Sequence, residues 1–99
     1  MTQFRLTPRA ERDLEEIMDY ISEQSSPERA GAVLRDILEA ASRLAETPGM
    51  GHTREDLTDE DVRFWTVHSY FIVYHPETRP LEIVRVVSGW RDVAAALGR

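Results

Sequence analysis

Arginines and aromatic side chains recur together in the second half of the chain. Arg63 and Trp65 lie two residues apart, and Tyr70 and Arg85 follow in the next two apolar segments. A guanidinium group binds phosphates and carboxylates through paired hydrogen bonds and stacks on aromatic rings. Arginine with Trp and Tyr is also enriched where proteins bind other proteins. These residues therefore indicate either an anion-binding site or a protein-binding surface.

Three short strands are expected to position these side chains. Residues 62–67, 70–74 and 81–87 are rich in β-branched and aromatic residues, and polar or proline-containing segments separate them. Because the connections are short, the three strands are predicted to form an antiparallel meander.

The faces of this sheet depend on the turns that connect its strands. A two-residue turn at 68–69 would pair Val67 with Tyr70, and the second connection would pair Tyr74 with Leu81. In this register, Ile72 would lie near Ile83 and Tyr70 near Arg85. One face would then carry Arg63, Trp65, Val67, Tyr70, Ile72, Tyr74, Leu81, Ile83, Arg85 and Val87. The other face would carry Phe64, Thr66, Phe71, Val73, Val84 and Val86. This second face is less polar, so it is predicted to pack against the helices.

An alternative interpretation assigns no binding function to the arginines. They would form ion pairs with Glu77, Glu82 or the acidic loop that precedes the meander, and the aromatic rings would be half-buried strand residues. The spacing of the residues leaves both interpretations open.

The first half of the chain predicts a strand followed by two helices. Residues 3–6 alternate and are expected to form an edge strand. Thr7-Pro8 and Ser26-Pro27 are N-cap and first-turn signals, and apolar stripes of helical period follow each of them. Helices over about 8–23 and from 27 to just before Thr47 would form an antiparallel hairpin, and residues 90–97 a short C-terminal helix. The prediction is one α+β domain over residues 1–99 with the order β-α-α-β-β-β.

Composition excludes several classes of function. The 99 residues include no cysteine and no lysine, so disulfides, thiolate metal sites and lysine-based catalysis are excluded. The histidines have no metal-ligand spacing, and we expect no metal and no cofactor. A net charge of −6 argues against direct binding of DNA or RNA by the chain alone. No apolar run is long enough to span a membrane and the N-terminus has no signal-peptide core, which predicts a cytoplasmic protein.

Six strings in this order resemble the RelE/ParE superfamily of bacterial toxins, and more closely its ParE, or plasmid-stabilisation, branch. They are LTPRAERDLEEI at 6–17, PGMG at 48–51, REDL at 54–57, VRFW at 62–65, YFIVY at 70–74 and LEIVRVV at 81–87, with Gly89 and Arg91-Asp92 behind them. The match extends over nearly the whole chain.

The resemblance implies a toxin of a type II toxin–antitoxin system. ParE-like members bind and poison DNA gyrase, whereas RelE-like members cut messenger RNA on the ribosome. The expected partner is a cognate ParD-like antitoxin with a ribbon-helix-helix DNA-binding domain, held with the toxin in a hetero-oligomer.

The residues favour the gyrase-directed branch. RNA cleavage needs groups that transfer protons and stabilise the phosphorane. The chain has no lysine, and Ser88 stands where many superfamily members have a histidine. A nuclease would have to use Arg63, Tyr70 and Arg85. We therefore expect no catalytic residues, and a target-binding surface that consists of Arg63, Trp65, Arg85, Trp90 and Arg91.

The apolar helix stripes predict where the antitoxin binds. A domain this small leaves grooves between the helical hairpin and the sheet that an amphipathic segment could fill. Because the toxin is acidic, the contact side of this segment is expected to be basic. The residues predicted to contact it are Leu14, Met18, Ile21, Val33 and Ile37.

Overall fold

A computed structural model describes residues 3–56 and 58–89 of the chain. It contains strand β1 (Phe4–Leu6), helices α1 (Pro8–Gln24) and α2 (Pro27–Glu46), a short 3₁₀ helix (Pro48–Met50), and strands β2 (Arg63–Val67), β3 (Tyr70–His75) and β4 (Leu81–Ser88). The predicted α+β order is confirmed. Trp90, Arg91 and the C-terminal helix predicted over 90–97 lie outside the described residues.

Both helices begin where the sequence signals place them. The Thr7 hydroxyl accepts a hydrogen bond from the Ala10 N–H, and the Ser26 hydroxyl accepts one from the Arg29 N–H, each at 3.1 Å. These bonds satisfy N–H groups that the first turn of a helix leaves unpaired. Thr7 also donates to the Val84 carbonyl at 2.8 Å, so the cap of α1 is attached to the sheet.

The sheet is mixed and has the strand order β1-β4-β3-β2. Strand β1 lies at one edge and pairs in parallel with residues 81–83 of β4, while β2, β3 and β4 form the predicted antiparallel meander. Within the described residues, neither helix combines the length and the apolar character needed to cross a membrane.

The predicted register is correct for the first hairpin and wrong for the second. Val67 pairs with Tyr70 across a two-residue turn in which His68 adopts a φ of 54°. In the second hairpin, however, Tyr74 pairs with Ile83 rather than with Leu81. Further along, Ile72 pairs with Val86 and Tyr70 with Ser88, not with Ile83 and Arg85. Relative to the prediction, the longer connection moves the register of β4 by two residues. A bulge at Val84 moves it by one more, because Val73 lies opposite Arg85 while Tyr74 lies opposite Ile83.

The prediction of the helix-facing side of the sheet is also wrong. The core beneath the helices includes Ile72, Tyr74, Leu81 and Ile83, with Trp65 packed against it. The side predicted to meet the helices instead forms a separate cluster of Val62, Phe64, Phe71, Val73 and Val87. The bulge also exchanges Val86 and Val87 between the two sides. The more polar face can be buried because its polar groups find partners inside the chain, as described below.

Candidate interaction surface

Arg85 is held by a buried carboxylate on α1. Its Nε donates to Asp13 Oδ2 at 2.7 Å and its Nη2 to Asp13 Oδ1 at 3.1 Å. The Val86 N–H also donates to Asp13 Oδ2, at 3.0 Å. The Asp13 side chain is only 5% exposed and that of Arg85 16%. Charged groups this deep must be paired, so the ion pair fixes α1 against β4 and commits Arg85 to an internal role. The alternative interpretation named Glu77, Glu82 or the acidic loop as partners of the arginines. The carboxylate that pairs with Arg85 is instead Asp13 on α1.

Arg63 is attached to the segment that follows α2. Its Nη1 donates to the Gly51 carbonyl at 2.9 Å. The Gly51 N–H donates to the Tyr74 hydroxyl at 2.9 Å, and this hydroxyl donates in turn to the Pro48 carbonyl at 2.7 Å. The three bonds tie the 3₁₀ helix to β2 and β3. A Cβ at position 51 would lie 2.3 Å from the Tyr74 hydroxyl, so only glycine fits there.

Tyr74 is fully buried within this network. Burial raises its pKa above the ordinary value, although the hydrogen bond from Gly51 and the charge of Arg63 oppose the shift. A neutral phenol can donate one hydrogen bond and accept another, which is how Tyr74 is used here.

Trp65 borders a groove between α2 and β2 and lies nearly parallel to the His52 ring, with 6.3 Å between ring centroids and 15° between planes. The groove has a volume of about 330 Å³, and Arg43, Asp36 and His68 also line it. His68 Nε2 lies 2.7 Å from Asp36 Oδ2, which connects α2 with the β2–β3 turn. Trp65 is half-buried and keeps part of its ring available at this groove.

Tyr70 lies in a second, larger groove that we call the α1–β4 groove. It has a volume of about 510 Å³ and runs between α1 and the ends of β3 and β4. Its lining includes Asp13, Glu16, Ile17, Tyr20, Tyr70 and Ser88. Burial, and to a smaller extent the neighbouring Tyr20, raise the pKa of Tyr70.

The structure therefore does not bring the three described members of the predicted target-binding set, Arg63, Trp65 and Arg85, together in one open site. Arg63 is attached to the Gly51 segment, Arg85 to α1, and Trp65 borders the groove beside α2. The three residues named for RNA cleavage do not line one groove either, because Tyr70 lines the α1–β4 groove and neither arginine does. In residues 3–56 and 58–89, His, Asp and Glu side chains do not gather in a group of three or more that would hold a metal ion.

The residues predicted to contact the antitoxin occupy different depths. Leu14, Ile21, Val33 and Ile37 are buried in the core of the chain itself, whereas Met18 is half-buried. Their contact with an antitoxin stays a prediction, and the first four offer little surface for it. They help to form the hairpin that shapes one wall of the α1–β4 groove.

The groove is also lined by Tyr20, Glu16 and Ile17, which were not predicted from the sequence as site residues. Tyr20 gave a usable signal, because it is an aromatic residue among the acidic residues on the polar side of α1. Glu16 gave none, since its role depends on which part of the sheet lies opposite the helix.

Comparisons with known proteins agree on one family. Residues 4–93 match the family model described as the ParE toxin of the type II toxin–antitoxin system parDE. The chain is 32% identical over 98 residues to a protein named Toxin ParE1 from Caulobacter vibrioides. The aligned region covers 99% of this chain and all of that relative.

Among solved structures, the fold is similar to a chain of the chromosomal ParDE TA system from P. aeruginosa. The TM-score is 0.74 at 23% sequence identity, over 89% of this chain and 96% of that one. At this identity the similarity concerns the fold.

Proposed function

The chain belongs to the ParE toxin family of type II toxin–antitoxin systems, and from that premise we propose that it arrests growth by binding and poisoning DNA gyrase. The family match over residues 4–93 carries the proposal. In this proposal the toxin acts in the cytoplasm as a protein-binding inhibitor, without cofactor or metal.

The positions of the arginines support an inhibitor over a nuclease. A ribonuclease needs cations and proton-transfer groups arranged around one phosphate. Arg85 is instead paired with Asp13, and Arg63 binds a backbone carbonyl. Burial raises the pKa of Tyr70, which makes it a weaker acid.

Trp65 supports a protein target, because a half-buried tryptophan at the border of a groove is a frequent anchor in protein interfaces. Trp90 and Arg91, which follow β4 closely in the sequence, stay in the set of residues that we propose for gyrase binding. Arg63 and Arg85 then contribute by holding the Gly51 segment and α1 against the strands of this surface.

The experiment that tests the proposal is gyrase supercoiling of relaxed plasmid in the presence of the purified protein. We expect inhibition together with accumulation of linear DNA, and reversal of both by the antitoxin. Trp90→Ala and Arg91→Ala should weaken inhibition while the proteins stay folded. No inhibition at high molar excess would contradict the gyrase assignment, and new cleavage sites in translated messages would favour a nuclease.

We also propose that a ParD-like antitoxin neutralises the toxin in a hetero-oligomer, with a basic amphipathic segment of the antitoxin lying along the hairpin and the sheet. The α1–β4 groove supports this position, because it combines apolar surface with the carboxylate of Glu16. Co-purification of the toxin with the antitoxin, followed by mass measurement of the complex, tests the assembly. A complex that survives removal of the antitoxin's C-terminal segment would contradict this binding mode.

A further inference from the structure

Tyr20 is the one large hydrophobic side chain that is exposed in the described part of the chain. It is 61% exposed and stands on α1 at the border of the α1–β4 groove. Single exposed aromatic residues are common on protein surfaces. Here, however, a second tyrosine, the half-buried Tyr70, lines the same groove from the sheet side.

The two rings do not stack on each other, whereas His52 and Trp65 form a stacked pair within residues 3–56 and 58–89. The faces of aromatic rings carry partial negative charge, so they attract cations placed above them.

One carboxylate in the groove has no ion-pair partner among residues 3–56 and 58–89. Asp13 is already paired with Arg85, and its oxygens accept three hydrogen bonds. Glu16 also lines the groove and forms no ion pair with any residue that the structure describes. The groove therefore combines two aromatic rings with one free negative charge.

We propose that Tyr20, Tyr70 and Glu16 form a binding site for one arginine side chain of the cognate antitoxin. The identity of the partner rests on the proposed function, whereas the chemistry of the site does not. The planar guanidinium stacks on tyrosine rings and binds a carboxylate at its edge. Arginine is favoured over lysine because a planar guanidinium can stack on a ring and still donate to a carboxylate from its edge, whereas a compact, strongly hydrated ammonium cannot do both.

A small-molecule titration tests the site independently of gyrase and of the antitoxin. N-acetylarginine amide is added to the free toxin while the ring protons of Tyr20 and Tyr70 are followed by NMR. N-acetylcitrulline amide, which has the same shape without the charge, is the control ligand. We expect saturable shifts of both rings with the arginine compound only.

Two matched substitutions on α1 test whether the Glu16 carboxylate is the group that binds the guanidinium. Glu16→Gln should weaken binding of the arginine compound several-fold, whereas Glu15→Gln should leave it unchanged. Glu15 is an exposed neighbour on α1 with the same charge, but it does not line the groove. Absence of ring shifts, equal shifts with the citrulline compound, or equal effects of the two substitutions would overturn the site.

The antitoxin assignment has its own test. Tyr20→Ala should weaken binding of the purified antitoxin by about two- to fivefold, the effect of an exposed cation–π contact. Glu16→Gln should also weaken it, and Glu15→Gln should not. If the arginine compound binds but these substitutions leave antitoxin affinity unchanged, the antitoxin is not the source of the arginine. A failed gyrase assay with intact arginine binding would contradict the proposed target and not the site.

Discussion

Among single residues, two buried polar side chains hold distant parts of the chain together. The Asp13 carboxylate holds Arg85 and the Val86 N–H, and the Tyr74 hydroxyl holds the Gly51 segment. Both use hydrogen-bonding groups that would otherwise be unpaired inside the protein. Arg63 and Arg85, which the sequence suggests as binding residues, therefore stabilise contacts inside the chain.

Removing the Asp13 charge should strongly destabilise the protein. In Asp13→Asn, Arg85 would remain largely buried without its counter-charge, which we expect to lower the free energy of unfolding by about 3 kcal/mol. Urea denaturation at constant pH measures the change. Glu15→Gln on the exposed side of the same helix is the control and should change stability by less than about 0.5 kcal/mol. Equal stability of the two variants would show that the ion pair contributes little.

Removing the Tyr74 hydroxyl should affect both stability and its dependence on pH. Tyr74→Phe leaves the Gly51 N–H and the Pro48 carbonyl without this partner, at a cost of about 1–3 kcal/mol. Because the folded state raises the pKa of Tyr74 above 10.0, it retains a proton that the unfolded state loses, so stability should fall as the pH rises above about 10. Urea denaturation between pH 8 and 11 should give a smaller fall for Tyr74→Phe than for the wild type. Equal slopes would mean that Tyr74 titrates alike in both states.

Among the elements, the two helices differ in how their N-termini are held: in the described part of the chain, the start of α1 is bonded to the sheet, and the start of α2 is not. Thr7 caps α1 and also donates to Val84, whereas the Ser26 cap of α2 is exposed and bonds only within its own turn. Helix α1 begins directly after the edge strand β1 and forms one wall of the α1–β4 groove. The position of this helix depends on contacts between residues that are distant in the sequence.

The two helix caps provide a matched comparison. Ser26→Ala should destabilise the protein by about 0.5–1 kcal/mol, the usual cost of losing an exposed cap. Thr7→Ala should cost about 1 kcal/mol more, because the Val84 carbonyl also loses a donor. Thermal unfolding of both variants under the same conditions measures the difference. A larger effect of Ser26→Ala would contradict the attachment of α1 through Thr7.

At the scale of the whole molecule, charge is unevenly distributed. The chain has a net charge of −6, and the first 61 residues contain 15 of its 18 acidic side chains. A partner that binds along α1 therefore meets a negative surface. Electrostatic attraction of this kind acts mainly on the rate of association and is screened by salt.

Association with the antitoxin should accordingly depend on ionic strength. Raising the salt concentration from about 0.1 M to 1 M shortens the screening length from about 10 Å to about 3 Å. We expect the association rate constant, measured by stopped-flow fluorescence, to fall by at least about tenfold. Charge reversal on the exposed side of α1 should slow association at low salt and have little effect at high salt. A rate that is insensitive to both changes would contradict a basic contact side on the antitoxin.

Local sequence signals were enough to predict the order of the elements, the helix starts and the first hairpin. These depend on local signals: Thr7-Pro8, Ser26-Pro27, and a two-residue turn between strands of alternating pattern. Capping groups and tight turns act over a few residues, so their consequences can be predicted without knowledge of the rest of the chain. The six family-like strings also predicted the family to which the chain belongs.

The second register, the side of the sheet that meets the helices, and the α1–β4 groove all depend on contacts between distant parts of the chain. The bulge at Val84 changes which side each later residue of β4 faces, and nothing near it in the sequence specifies that change. Asp13 and Arg85 are 72 residues apart, so their pairing appears only when α1 lies against β4. The more polar side of the sheet could be buried because partners of this kind satisfy its charges and hydrogen bonds, and such partners come from anywhere in the chain.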